Sequence, residues 1–281
     1  MTPTRAIRPS LVNSALRIFD LSLGQMLWSR RSVFLALLAG GPVALALGIR
    51  VILLVTPAQL PMINGARMSG SAIFGLIIWL LYIRFIIPVL GVFYGTSLIA
   101  DEVEDKTITY LFTRPIPRGA VLVGKYLAYL MCTTLLVLPS AVIVFFIVTP
   151  LGRSGIGEQF PSLLADLGML AAGLAAYGAL FAFVGATLKR PLMIGLVFVF
   201  AWEPGVLIFP GYLKHATIAY YLQALVPHAM PNEESVVSGI LQLFNEIPPL
   251  ATSLASLAGI TLAALWLASR VVQAREFVLE Q

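Results

Sequence analysis

Six stretches of the chain are apolar over roughly the 20 residues that a helix needs to cross about 30 Å of hydrocarbon. They run from about Val33–Val55, Ser71–Ile99, Tyr126–Val148, Leu163–Leu188, Pro191–Phe209 and Leu250–Ala268. Ahead of the first, Val12, Ala15, Leu16, Phe19, Leu23, Met26 and Leu27 recur at helical spacing, with Asn13, Arg17, Asp20 and Gly24 on the other side. That pattern predicts an amphipathic helix lying in the membrane interface, apolar side toward lipid. Trp28, Arg30 and Arg31 then mark the headgroup level. In the fifth stretch, Glu203-Pro204-Gly205 predicts an early end or break, because proline has no N–H to donate and clashes with the preceding turn. The long segment 204–249 predicts two short external helices, near Tyr212–Val226 and Asn232–Ile247. Asn232 is a suitable N-cap for the second, with Glu233 and Glu234 in its first turn. The expected fold is an all-α membrane protein of six transmembrane helices, with an N-terminal interfacial helix and an external helical hairpin before the last span. It forms one domain over 1–281, in which 1–31 is a cytoplasmic arm and 100–125 a cytoplasmic loop.

Composition narrows the class. Apolar residues make up 59% of the 281 and charged residues 11%, against roughly 45–50% and about 25% in an average soluble domain. The mean hydropathy is +0.94. Too little polar surface remains to cover a soluble globule, and disorder is excluded by the same figures. The net charge of +5 has a simple source. With the N-terminus inside, thirteen Lys and Arg fall on cytoplasmic segments and only Arg67, Arg153 and Lys214 on external loops. This positive-inside bias predicts a multi-pass protein with both termini cytoplasmic, and the localisation expected is a prokaryotic cytoplasmic (inner) membrane. No basic stripe with interleaved aromatics points to nucleic acid. The lone Cys132, within an apolar run, permits neither an internal disulfide nor a cysteine zinc cluster. His215 and His228 lack the carboxylate and cysteine neighbours of a metal site.

The most specific segment follows the second span. It reads Ala100-Asp101-Glu102-Val103-Glu104-Asp105-Lys106-Thr107, continues through Leu111 and Arg114-Pro115-Ile116-Pro117-Arg118, and ends in Gly124-Lys125. Four acids leave the membrane, two prolines fix a stiff bend, and two arginines and a lysine open the third span. A stiff charged elbow between spans can transmit force from a soluble partner, which a floppy Gly/Ser loop could not.

This segment resembles the ABC-2 type transporter permeases. Their pattern has an acidic helix end, Glu-x-x-x-Gly-Thr, Leu-x-x-Leu, Pro with Ser-Arg, and Leu-x-Gly-Lys opening the next span. Glu102, Thr107, Leu111, Pro115, Arg118, Gly124 and Lys125 fall on it, while Lys106, Thr109 and Pro117 depart from it. The amphipathic helix ending in Ser29-Arg30-Arg31 is similar to the family's elbow helix. The resemblance implies the permease subunit of an ATP-driven exporter. It also implies a homodimer or heterodimer of permeases docked on two copies of an ABC ATP-binding subunit. Asp101, Glu102, Glu104, Asp105, Thr107, Arg114, Pro115 and Arg118 would then couple to the ATPase. The chain itself carries no G-x-x-x-x-G-K-[ST] phosphate loop and no catalytic residue, so ATP and magnesium would belong to the partner, with no cofactor here.

Two alternatives stay open: an ion-driven secondary transporter, and a membrane subunit transmitting ATPase motion to an envelope protein through Asn232–Ile247. Arg84 lies near the middle of the second span and Glu203 at similar depth in the fifth. A charge at such depth costs roughly 2.5–3.5 kcal/mol on insertion scales, so a pairing of the two is expected. Arg50 and Asp166 lie near outer ends, within reach of water. Phe74, Trp79, Tyr82, Phe85, Phe198, Phe200 and Trp202 suit a path for an amphipathic or lipid-like substrate, and membrane lipid is itself a partner. Gly40, Gly41, Ala44 and Gly48 on the first span, and Ala172 to Gly185 on the fourth, permit close helix approach.

Overall fold

The computed structural model describes residues 11–28, 30–55, 62–63, 66–67, 69–104, 118–151, 156–208, 215–223, 225 and 249–274. Helix α1 (Leu11–Leu27) precedes α2 (Arg30–Val55). The two-residue strands β1 (Met62–Ile63) and β2 (Ala66–Arg67) pair antiparallel, Met62 opposite Arg67. Helix α3 is continuous over 70–104, and α4 (Arg118–Val148) tightens into a 3₁₀ turn at Thr149–Leu151. Helix α5 (Ile156–Thr187), α6 over 191–208, α7 (Ile218–Gln223) and α8 (Leu250–Ala274) complete the described chain, which is nearly all helical.

Among the described residues, five helices are long and apolar enough to cross a membrane: Ser32–Val55, Gly70–Ala100, Gly119–Leu151, Ile156–Thr187 and Leu250–Ala274. They carry five of the six predicted spans, with the third and fourth starting several residues earlier than hydropathy placed them. The fifth predicted span is α6, whose apolar part, Pro191–Val206, is shorter. Of the predicted external hairpin, the described part is α7, and Asn232–Ile247 lies outside the described residues.

Helix α3 is the centre of the bundle: 67% of its apolar stretch is buried, against 17% for α2 and for α8. Its seam with α5 is built by glycine on both sides. A Cβ at Gly91 would lie 2.7 Å from the Tyr177 Cβ, and one at Gly95 2.9 Å from the Phe181 Cβ. A Cβ at Gly185 would run into the Thr96 carbonyl. Small residues bring these backbones together because lipid supplies no hydrophobic force to do so. The α4–α5 seam adds polar contacts. The Tyr126 and Tyr129 hydroxyls donate to the carbonyls of Ala175 and Leu174, both at 2.9 Å. The Tyr129 ring enters over Gly178, where any side chain would collide with it. Across the other side, Ser140 donates to the Ala39 carbonyl of α2. Its oxygen therefore accepts from the Tyr82 hydroxyl of α3 at 2.7 Å.

Helix α1 packs along the start of α4 with Ser14, Ala15 and Ser22 buried. Gly124 is the contact point, since a Cβ there would come within 2.6 Å of the Ala15 carbonyl oxygen. The predicted apolar stripe is thus divided: Ala15 is packed, Leu23 and Met26 rest on the core, and Val12 and Leu16 stay exposed. Two further expectations change. Arg50 is half-buried and donates to the Ile147 carbonyl at 2.8 Å, pinning α2 to the C-terminal end of α4. Asp166 is fully enclosed in the bundle instead of reaching water.

Pro204 does not break α6. The helix widens into a π turn at Phe198–Trp202, where the Glu203 N–H bonds back to the Phe198 carbonyl, and then continues as Glu203–Ile208. The same device occurs in α3. A π segment at Ile78–Ile86 closes with the Ile87 N–H on the Tyr82 carbonyl, one residue before Pro88. A proline ring clashes with the carbonyl four residues back in a regular helix. The i→i+5 turn moves that carbonyl aside, so the axis runs on past the proline.

Candidate functional site

Three helices meet around Glu203. The π turn of α6 delivers this carboxylate to the interior, where it is 3% exposed. The Tyr177 hydroxyl from α5 donates to it, 2.5 Å from each oxygen. The backbone N–H groups of Ile218 and Ala219 also donate to it. A helix start leaves its first N–H groups without intrahelical partners. Glu203 supplies acceptors for two of them across chain segments, in the manner of an N-cap. Thr217, ahead of these two, is itself fully buried.

Arg84 comes from the π segment of α3 and interacts electrostatically with Glu203 and Tyr177. Its guanidinium lies over the Trp79 ring, 5.4 Å from the centroid. In a regular α-helix, residues five apart point about 140° away from each other. The wider π turn brings them onto one face, which lets Trp79 support Arg84. The structure therefore brings Arg84 and Glu203 into one cluster and adds Tyr177 and the start of α7.

The predicted aromatic path divides. Phe74 and Tyr82 are fully buried packing residues, Phe74 against Phe145 edge-on at 5.1 Å. Phe198 packs edge-on against Phe181 at 6.0 Å. Phe85, Phe200 and Trp202 are exposed, and the Phe85 and Phe200 rings lie 6.2 Å apart between α3 and α6. These three can meet lipid or a substrate.

At the elbow between α3 and α4, α3 runs through Asp101, Glu102 and Glu104, and α4 is described from Arg118. Asp105, Thr107, Arg114 and Pro115 lie outside the described residues. The described parts of α3 and α4 thus bracket the segment 105–117.

Tyr177 was hidden from sequence reasoning by its surroundings, Leu174-Ala175-Ala176-Tyr177-Gly178-Ala179. The available signal was a single phenol in an otherwise small and apolar stretch, since a buried tyrosine hydroxyl usually finds a partner. The α7 amides carry no side-chain signal at all.

Among curated proteins, no relative matches the chain. A sequence model described as ABC-2 family transporter protein matches residues 58–268, which includes α3 through most of α8 and the whole elbow. With several helices able to cross a membrane around that elbow, the chain is a multi-pass membrane protein and belongs to the ABC-2 family of ABC transporter permeases.

Proposed function

We propose that the chain is the permease subunit of an ATP-driven exporter, working as a homodimer or heterodimer on two copies of a separate ABC ATP-binding subunit. The observation that carries this is the elbow between α3 and α4. Its run of acids, its Pro-x-Pro stretch and its arginines lie between two spans and within the stretch that matches the ABC-2 family, which suits docking on a soluble partner. The 101–118 segment would seat in a groove of the ATPase. Gly124 lets α1 lie directly on α4 just beyond it, so motion of the elbow would reach the interfacial helix as well. ATP and magnesium are bound by the partner.

In this reading α6 is the fifth of six spans, both termini are cytoplasmic, and α1 lies in the inner leaflet interface of a prokaryotic cytoplasmic membrane. The ATPase moves two permeases between inward- and outward-facing states. It can shift that equilibrium only by its difference in affinity for the two. The exposed Phe85, Phe200 and Trp202 suit an amphipathic or lipid-like substrate. The test is purification from native membrane in mild detergent. An ATP-binding subunit in equal amount, with ATP hydrolysis in the eluate, is expected. A permease that crosslinks to no ATPase in intact membranes overturns the reading.

Arg84 and Glu203 act as a charge pair that holds α3 to α6. Arg84→Glu places two carboxylates together and should sharply lower the yield of folded protein, read by size-exclusion of a fluorescent fusion. Adding Glu203→Gln should restore it, because glutamine removes the repulsion and keeps an acceptor for the α7 amides. No recovery in the double variant removes the pairing.

A further inference from the structure

We propose that Arg84 and the indole N–H of Trp79 form the head-group site for an anionic amphiphile carried by the permease, and that this anion replaces Glu203 as the counter-charge of Arg84. This rests on the permease reading above and names its substrate class.

Donors outnumber acceptors in the cluster. A carboxylate offers about four lone-pair sites. The Tyr177 hydroxyl and the Ile218 and Ala219 N–H groups already donate to Glu203. Arg84 brings a whole fork of N–H donors toward the same carboxylate from α3. Trp79, under the guanidinium, is 9% exposed, and its Nε1–H finds no acceptor among the described residues. Leaving a buried donor unmade costs free energy, and about nine in ten buried polar groups avoid it. The Arg84 cation covers the negative face of the indole, so the positive N–H edge is the side left for an anion. An oxyanion answers both groups, because it has several acceptor sites and matches the guanidinium fork in a bidentate pair.

The surroundings of Arg84 call for a ligand with a tail. Arg84 is half-buried on α3 between Leu80 and Phe85, both exposed. Across the seam, α6 sets the exposed Phe200 against Phe85, ring centroids 6.2 Å apart. An acyl chain can lie along these side chains while its head reaches Arg84. A hydrated inorganic ion would have to shed its water on an apolar surface. None of the three donors to Glu203 comes from α3, so the carboxylate stays satisfied when α3 parts from α6. Arg84 then needs another counter-charge, since a lone charge within a span is costly. The anionic head supplies it, and head-group binding and parting of α3 from α6 become one event. That preference for the parted state is the differential affinity by which a ligand shifts a conformational equilibrium.

The test measures binding of radiolabelled hexadecyl phosphate to the full chain in phosphatidylcholine nanodiscs, above its partition into empty discs. Hexadecanol, the same chain without the charge, is the control. Saturable binding of hexadecyl phosphate and none of hexadecanol is expected. Trp79→Phe, which keeps a ring under Arg84, should weaken binding roughly tenfold, the loss expected for one hydrogen bond to a charged group. Glu203→Gln should strengthen it by about tenfold or more, because it removes a competing charge from a site of low dielectric and keeps an acceptor for the α7 amides. Equal binding of the two probes overturns the site, and so does an affinity unchanged in both variants. Inorganic phosphate competing at the same concentration as hexadecyl phosphate overturns the choice of an amphiphile. In the complex with its ATPase, hexadecyl phosphate should stimulate hydrolysis, and less so in Trp79→Phe. Binding without stimulation overturns carriage of the anion and makes this a site for a bilayer lipid. The nanodisc measurement involves no ATPase, so it fails or succeeds independently of the purification that tests the permease reading.

Discussion

Gly185→Leu should eliminate the folded protein, while Gly168→Leu in the same helix leaves it intact. A side chain at Gly185 meets the carbonyl, carbonyl carbon and Cα of Thr96, all backbone of the central helix α3. No rotamer change can clear a backbone clash, so α3 and α5 would have to separate. Separation also strips Gly91 and Gly95 from Tyr177 and Phe181, which close the same seam. Overpacking a well-packed core costs typically about 1–3 kcal/mol, occasionally more, and here the obstacle cannot yield locally. A Cβ at Gly168 meets nothing within 4 Å. The measurement is the monodisperse fraction of a fluorescent fusion after detergent extraction. It should fall about tenfold or more for Gly185→Leu, given how large one or two kcal/mol is beside total stability. Equal fractions for the two variants would mean that the α3–α5 seam is not the core of the fold.

Glu102→Ala combined with Arg118→Ala should abolish most permease-stimulated ATP hydrolysis without loss of permease. Both residues are read as docking groups for the ATPase, not as supports of the permease fold. Thermal stability should hold. Stimulated hydrolysis in the purified complex should drop roughly tenfold, the loss expected when a few central contacts of an interface are truncated. The opposite pattern, reduced stability with normal stimulation, would make these residues structural and remove the elbow from coupling.

The long spans were legible because roughly 20 apolar residues in a row leave little choice. Helix α1 was legible from its spacing, but its packed face was not. Small residues such as Ser14 and Ala15 carry almost no hydropathy signal, and the reason they are buried is Gly124, more than a hundred residues away. Arg84 and Glu203 stood out because charge in a span is costly. Tyr177 and the α7 amides did not, since a phenol is common in membrane helices and backbone groups are the same everywhere. Pro204 misled for a definable reason. The rule that proline stops a helix assumes α geometry, and one wider turn removes the clash. The stretch 191–208 was hardest, because its composition is that of a span and its length is marginal.

The π turn in α6 has a consequence for phase. Gly195, Val199 and Glu203 are buried at successive intervals of four. At 100° per residue, eight residues of regular helix overshoot two full revolutions by about 80°. In an unwidened α6 the Glu203 carboxylate would swing toward the flank where Pro204 is exposed. The wide turn absorbs that overshoot and works as a vernier between the lower and upper parts of one helix. Angular position above Phe198 is therefore set independently of packing below it. A helix built this way can present a different residue to its neighbours by local rewinding alone, with no displacement of its axis.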